Sequence, residues 1–148
     1  MEKMGHGKET VKPKFHVLVD SDAFVGWYLP ADAHFKRATE LFTRFDEENR
    51  SLVTTSWVVA ETATVLSHRV GQESAREFLD MITSTPFPVI HVTEELQAET
   101  IKVFMEQETK NTSMVDCSNV VVMRRFDIPT ILSFDNFYHK RFNLPMAA

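Results

Sequence analysis

Two short apolar runs in this chain each end on an aspartate. Residues 15–19 (FHVLV) lead into Asp20, and residues 131–134 (ILSF) lead into Asp135. An acid at the carboxyl end of a buried strand is costly unless something positive compensates it. Two further acids sit in apolar company. Glu61 lies in SWVVAETATVLSHR, where Val58, Glu61 and Val65 share a helical face, and Asp116 opens a helical pattern continued by Val120 and Met123 at i+4 and i+7. If the four converge, any pair about 5 Å apart repels by roughly 3 kcal/mol at an effective dielectric near 20. No Lys or Arg lies within four positions of any of these acids to relieve that repulsion. A divalent metal is the economical answer.

The remaining sequence alternates strand and helix. After a polar leader at 1–14, strands are expected near 15–20, 51–54, 87–92 and 130–134, with a very short fifth edge segment near Asn143 and Leu144. The short apolar segment AFVGWYL stops at Pro30. Helices are expected over 32–48, on the segment bearing Glu61 up to Gly71, over about 72–83, from Thr93 to about 108, and over about 115–126. Their apolar stripes fall at helical spacing: Phe35, Ala38, Leu41, Phe42 and Phe45 in the first; Ala75, Phe78, Leu79 and Ile82 later. Thr55 or Ser56 can cap the Glu61 helix, and NFYHKRF after Asp135 reads as a short turn or helix. Such alternation predicts an α/β domain over 15–148, with helices on both faces of a central parallel sheet of four to five strands. In open sheets of this kind ligands bind beyond the carboxyl ends of the strands, where the strand order reverses. Asp20 and Asp135 each fall at such an end.

Composition narrows the chemistry. Cys117 is the only cysteine, so an internal disulfide or a thiolate metal cluster is excluded, and the six histidines show no zinc spacing. There is no apolar stretch long enough for a membrane span and no secretory signal at the start. These features suit a cytoplasmic protein. Only four glycines and no GxxxxGK[ST] argue against nucleoside triphosphate handling. Oxygen ligands alone favour Mg2+ or Mn2+ over zinc or copper. A net charge of −5 is unlike that of a nucleic-acid binder, yet part of it is the acidic set itself. Basic residues cluster at Lys8, Lys12 and Lys14, at Arg124 and Arg125, and at Lys140 and Arg141, a rim that would suit a phosphodiester.

The segments HVLVDSDAF, VVAETATVL and TSMVDCSNVVVMRRFDIPTILSFDNF, with the spacing among them, resemble a PIN domain. They are most similar to the VapC-like ribonuclease toxins of toxin–antitoxin pairs, from about residue 15 to residue 144. The last motif is the most specific. It places a Ser three residues before an Asp that opens a helix, then a strand ending in Phe-Asp and an aromatic. The resemblance implies a three-layer α/β/α PIN-like domain acting as a Mg2+- or Mn2+-dependent endoribonuclease. Asp20, Glu61, Asp116 and Asp135 would be its metal-binding and catalytic acids, and Ser113 its hydroxyl beside the site. Asp22 departs from the commoner Asn or Ser, leaving an extra ligand or a helix cap open. An RNA substrate, a homodimer and a small antitoxin covering the acids are further implications.

Plainer explanations stand beside each residue. Asp116 would suit a helix first turn on dipole grounds alone, Asp135 could cap the turn that follows it, and Glu61 could pair with a distant Arg. Cys117 is more often a small buried residue than a nucleophile. Trp27, Tyr28, Phe137 and Tyr138 could stack RNA bases, although core packing or a dimer interface is the better account. Two other functions are open. Asp20-Ser21-Asp22 echoes the nucleophile motif of haloacid-dehalogenase-type phosphatases, but no suitably placed Lys accompanies it. A PIN-like module that binds RNA or protein without cutting is the second.

Overall fold

A computed structural model describes residues 14–147. The elements run β1 (Val17–Val19), α1 (Ser21–Tyr28), α2 (Phe35–Glu47), β2 (Leu52–Thr55), α3 (Ser56–Arg69), α4 (Gln72–Ser84), β3 (Val89–Ile90), α5 (Glu94–Met105), α6 (Met114–Arg125), β4 (Thr130–Leu132) and α7 (Phe137–Phe142). The four strands form one sheet in the order β3-β2-β1-β4, and each neighbouring pair is parallel. The expected leader falls almost wholly outside the described residues, as do Lys8 and Lys12.

The alternating pleat of β1 divides the core between two layers. Val17 and Val19 point to one face, where they meet Phe24, Leu41, Phe45, Leu66 and Phe78 of α1 to α4. Leu18 points to the other, against Leu96 of α5, Val120 to Met123 of α6 and Tyr138 of α7. Phe24 centres the first layer, with ring centroids 5.3 Å from Phe78, 5.6 Å from Phe87 and 6.2 Å from Phe42. The sheet therefore lies between two helical layers, as expected.

Local capping explains where the helices begin. Thr55 caps α3 by accepting from the Val58 amide at 3.0 Å, and Thr93 caps α5 by accepting from Leu96 at 3.2 Å. Gly71 adopts φ 140° between α3 and α4, a value that L side chains rarely tolerate. Three expectations need correction. β3 spans two residues instead of six, because it is an edge strand that follows Pro86 and Pro88, neither of which can donate to a ladder. The fifth segment is a single parallel bridge from Met146 to Ile131, two residues past the expected Asn143 and Leu144. Leu79 is 37% exposed, since Ala75, Phe78 and Ile82 alone fill the stripe that α4 turns inward.

Candidate functional site

Strand order places the site. β1 is flanked by β2 on one side and β4 on the other, so the chain direction of travel reverses between β1 and β4. Asp20 follows β1 directly and is the N-cap of α1, its Oδ1 accepting from the Ser21 amide at 2.8 Å. Only 5% exposed, Asp20 is surrounded by neutral donors. Oδ1 also accepts from Asn119 Nδ2 at 3.1 Å, while Oδ2 accepts from Ser133 Oγ at 3.0 Å and Tyr138 Oη at 2.9 Å.

Asp22 reaches across the same gap. Its Oδ2 accepts from the Phe134 amide at 2.9 Å and lies 3.3 Å from Ser133 Oγ, so Asp20 and Asp22 share one hydroxyl. Its Oδ1 is buried without a hydrogen-bond partner among the described residues. Asp22 is thus no helix cap; that work falls to Asp20.

Asp116 arrives from α6 through a reciprocal capping box. Ser113 Oγ accepts from the Asp116 amide at 3.0 Å, and Asp116 Oδ2 accepts from the Ser113 amide at 3.1 Å. Asp116 Oδ1 remains 3.3 Å from Tyr138 Oη. The first-turn explanation therefore holds for this residue, and the same carboxyl also faces Tyr138 beside Asp20. Asp135 is exposed after β4, and its Oδ1 accepts from the Phe137 amide at 2.9 Å, so it braces the turn into α7 while Asn136 stands at the N-cap position expected for Asp135. Glu61 stands half-buried on α3, where Oε1 accepts from Ser21 Oγ at 2.7 Å, and among the described residues it pairs with no Arg or Lys.

The electrostatics follow from burial and mutual repulsion. Burial, with a smaller contribution from the Asp116 charge, raises the Asp20 carboxyl to about 6 against the hydrogen bonds from Ser21, Tyr138 and Ser133. Burial and then the Asp20 charge raise Asp22 to about 7, against hydrogen bonds from Phe134 and Ser133. Asp116 is raised by burial, with a smaller contribution from Asp135, against its bonds to Ser113. Burial pushes the Cys117 thiol up to about 11, so it is a packed side chain and no ready nucleophile.

Three residues of this arrangement were not picked out from the sequence as site residues: Asn119, Ser133 and Tyr138. Tyr138 is fully buried and so presents no face for base stacking. Its hydroxyl accepts from Asn119 Nδ2 at 2.9 Å and offers one proton between Asp20 and Asp116. A signal for Asn119 did exist. It is a polar residue at i+3 from Asp116 within a helix whose residues 117–123 are all buried. Trp27 and Tyr28 pack on the core, Trp27 stacked on Phe42 at 4.5 Å and Tyr28 edge-on to Phe78 at 6.0 Å. The basic rim is partly committed: Arg125 pairs with Glu95 and Glu99, and Arg141 donates to Thr109 and Gln107.

Among the described residues, no three His, Cys, Asp or Glu side chains stand as a finished cation cage. Both oxygens of Asp20 are turned toward protein donors. The donor set nevertheless suits a hard divalent ion. It is all oxygen, it includes the unpartnered Asp22 Oδ1, and Mg2+ takes only one or two carboxylates directly, completing its shell with water.

Comparison with known proteins agrees with this architecture. The PIN domain family matches residues 17–142. Two strains of Mycobacterium tuberculosis supply a relative named 23S rRNA-specific endonuclease VapC20, 30% identical over 84 residues. That match covers 57% of this chain and spans 64% of the length of the curated relatives. The crystal structure of M. tuberculosis VapC20, described as a sarcin-ricin loop cleaving toxin, superposes with a TM-score of 0.76 at 23% identity, covering 85% of this chain and 95% of that one. VapBC2 from Rickettsia felis, bound to a DNA fragment from its promoter, gives 0.59 at 15% identity over 89% and 97%. The haloacid-dehalogenase alternative falls away, since Asp20 is ringed by Ser, Tyr and Asn donors where that chemistry needs a lysine.

Proposed function

This chain belongs to the PIN domain family, and from that premise we propose that it is a divalent-metal-dependent endoribonuclease, the toxin of a toxin–antitoxin pair. The observation that carries the reading is the gathering of Asp20, Asp22 and Asp116 around the Ser133 and Tyr138 hydroxyls, with Asp135 close enough to repel Asp22 and Asp116. Among the described residues none of these acids has a Lys or Arg partner. The VapC20 name, which specifies cleavage of 23S rRNA, supports RNA as the substrate class.

Asp20, Asp22, Asp116 and Asp135 are the residues that would hold Mg2+ or Mn2+. Such an ion supplies an activated water and charge neutralisation at the leaving oxygen. Asn119, Ser133 and Tyr138 then fix the rotamers of the acids that face it. Glu61, tied to Ser21 at the edge of the depression, is suited to accept a proton from the attacking water. An antitoxin would inhibit by lowering an Arg or Lys into the acidic depression, and the R. felis pair supports a partner of that kind. A homodimer and a cytoplasmic location complete the reading.

Purified protein incubated with labelled structured RNA, with and without Mg2+ or Mn2+, tests it. Metal-dependent cutting that Asp116→Asn abolishes is the expected result. Metal-independent binding without cutting would instead assign the chain to the non-catalytic module. Slowed growth on expression, relieved in Asp20→Asn, tests the toxin role separately.

A further inference from the structure

A cleft of about 280 Å3 opens beside the acidic depression, with Ser21 and Asp22 on its inner wall. Its outer wall is formed by Asp32, His34 and Arg69, which have no part in the acid cluster. The His34 imidazole lies flat on the Phe134 ring, with centroids 4.2 Å apart and planes 8° from parallel. Phe134 is the residue whose amide holds Asp22, so the stack is anchored to the acidic site itself. His34 is exposed despite this stack, so its imidazole remains accessible to a ligand in the cleft it lines.

The loop bearing His34 is built into position. Asp32 Oδ2 accepts from the His34 amide at 2.9 Å, and Asp32 Oδ1 accepts from Arg69 Nη1 at 2.7 Å. Gly26 of α1 lets this loop approach closely, because a Cβ there would stand 3.2 Å from the His34 Cβ and 3.4 Å from Asp32 Oδ2. Arg69 is 45% exposed, and only one of its five N–H donors is taken by Asp32. An aromatic ring and a guanidinium whose other N–H donors are unpaired among the described residues therefore border one small cleft, next to carboxylates that a metal would bridge to a phosphodiester. At about 280 Å3 the cleft sits at the low end of small-molecule pocket sizes, enough for a single nucleotide unit.

We propose that this cleft is a nucleotide subsite for the RNA strand flanking the scissile bond, in which a base stacks on His34 and Arg69 holds a backbone phosphate. The proposal deepens the nuclease reading and rests on it for the identity of the ligand. Stacking on a ring is tolerant of sequence, whereas the guanidinium contact is electrostatic and salt-dependent.

The test measures affinity for a labelled single-stranded RNA oligonucleotide of mixed sequence in the cutting-deficient Asp116→Asn background with Mg2+. His34→Ala is expected to weaken binding by about 5- to 100-fold, and His34→Phe to restore most of it. Arg69→Gln should flatten the slope of log affinity against log salt by about 0.7 to 1, the signature of one lost phosphate contact. With Asp116 intact, His34→Ala should raise KM while kcat stays within about threefold, and unchanged melting temperatures exclude a folding defect. Two results keep the subsite and the nuclease reading apart. RNA that is cut normally with His34→Ala affinity and KM both unchanged overturns the subsite alone. RNA that is bound through His34 but never cut by the wild type overturns the nuclease reading and leaves the subsite standing. Absence of any RNA binding, or a cationic peptide whose binding alone depends on His34, also overturns the proposal, the latter in favour of a protein partner.

Discussion

Asp32 and Asp20 are twelve positions apart in the sequence and border the same end of the molecule, yet they are held in opposite electrostatic states. Asp32 has a cation: the Arg69 guanidinium and the His34 amide outweigh its partial burial and hold its carboxyl below the usual range. Asp20 has only neutral donors and carboxylate neighbours, so burial prevails and its carboxyl is raised to about 6. The difference teaches what each site is for. A carboxylate that brings its own counter-charge completes a structure, whereas a group of carboxylates that excludes one leaves a charge deficit for something outside the chain to fill.

The largest expected effect comes from removing a charge on the unpaired side. Asp116→Asn should reduce metal-dependent RNA cleavage by at least about 100-fold, the scale on which a group acting in the transition state is felt. The metal-free variant should be as stable as wild type or more so, since Asn keeps an oxygen for the Ser113 amide while relieving repulsion. Loss of stability together with normal cleavage, read by denaturant melts and initial rates, would erase the contrast.

Acidity should separate the two regions next. Asp20 and Asp22 bind protons more tightly when folded than in the unfolded chain, where a carboxyl titrates near 3.9. Their stabilising contribution is therefore complete below about pH 4 and is lost as the pH rises through about 6 and about 7. The loss should be on the order of a few kcal/mol for the pair. Asp32 has the opposite sign, its contribution being present above the unfolded value and lost as the pH falls. Melting curves of metal-free protein should show lower stability at pH 7.5 than at pH 5, and Mn2+ should restore it at the higher pH. Stability that rises over that interval without metal would contradict the acidic assignment.

Tyr138→Phe sharpens the comparison from the donor side. It deletes the hydroxyl shared by Asp20 and Asp116 and leaves Asn119 Nδ2 with one acceptor fewer. A cost of about 1–3 kcal/mol is expected in equilibrium unfolding at pH 7. The Asp20 titration followed by NMR should move upward, because the lost bond favoured the ionised form. The smallest effect belongs to the paired region. Arg69→Gln breaks an ion pair whose Arg is 45% exposed, so unfolding should change by less than about 1 kcal/mol, and that small difference should shrink as salt is added.

Much of the scaffold was legible without coordinates because its causes are local. The stripe Ala38, Leu41, Phe42 and Phe45 is the buried face of α2, Thr55 and Thr93 are the caps of α3 and α5, and each depends only on neighbours a turn away. Leu79 departs from the expected stripe because four apolar residues do not reveal how wide a face the sheet can cover. Asn119 and Ser133 escaped notice for a related reason. A buried polar side chain is recognised by its partner, and theirs is Asp20, 99 and 113 positions away.

The sequence by itself determined that Asp20 would follow one strand directly and that Asp135 would lie just beyond another, since strand periodicity and the residues following each run are local facts. It also determined that Asp116 would sit in a first helical turn, because Ser113 and Asp116 cap that turn between themselves. Only the tertiary structure decided that β4 pairs with β1, and therefore that Ser133 stands between Asp20 and Asp22 and the Phe134 amide reaches Asp22. Strand order is set by which faces can be buried together, a property of the whole chain that no window of sequence contains. The raised acidities have the same origin: a carboxylate acquires its pKa from the water it loses and the charges it meets, and folding supplies both.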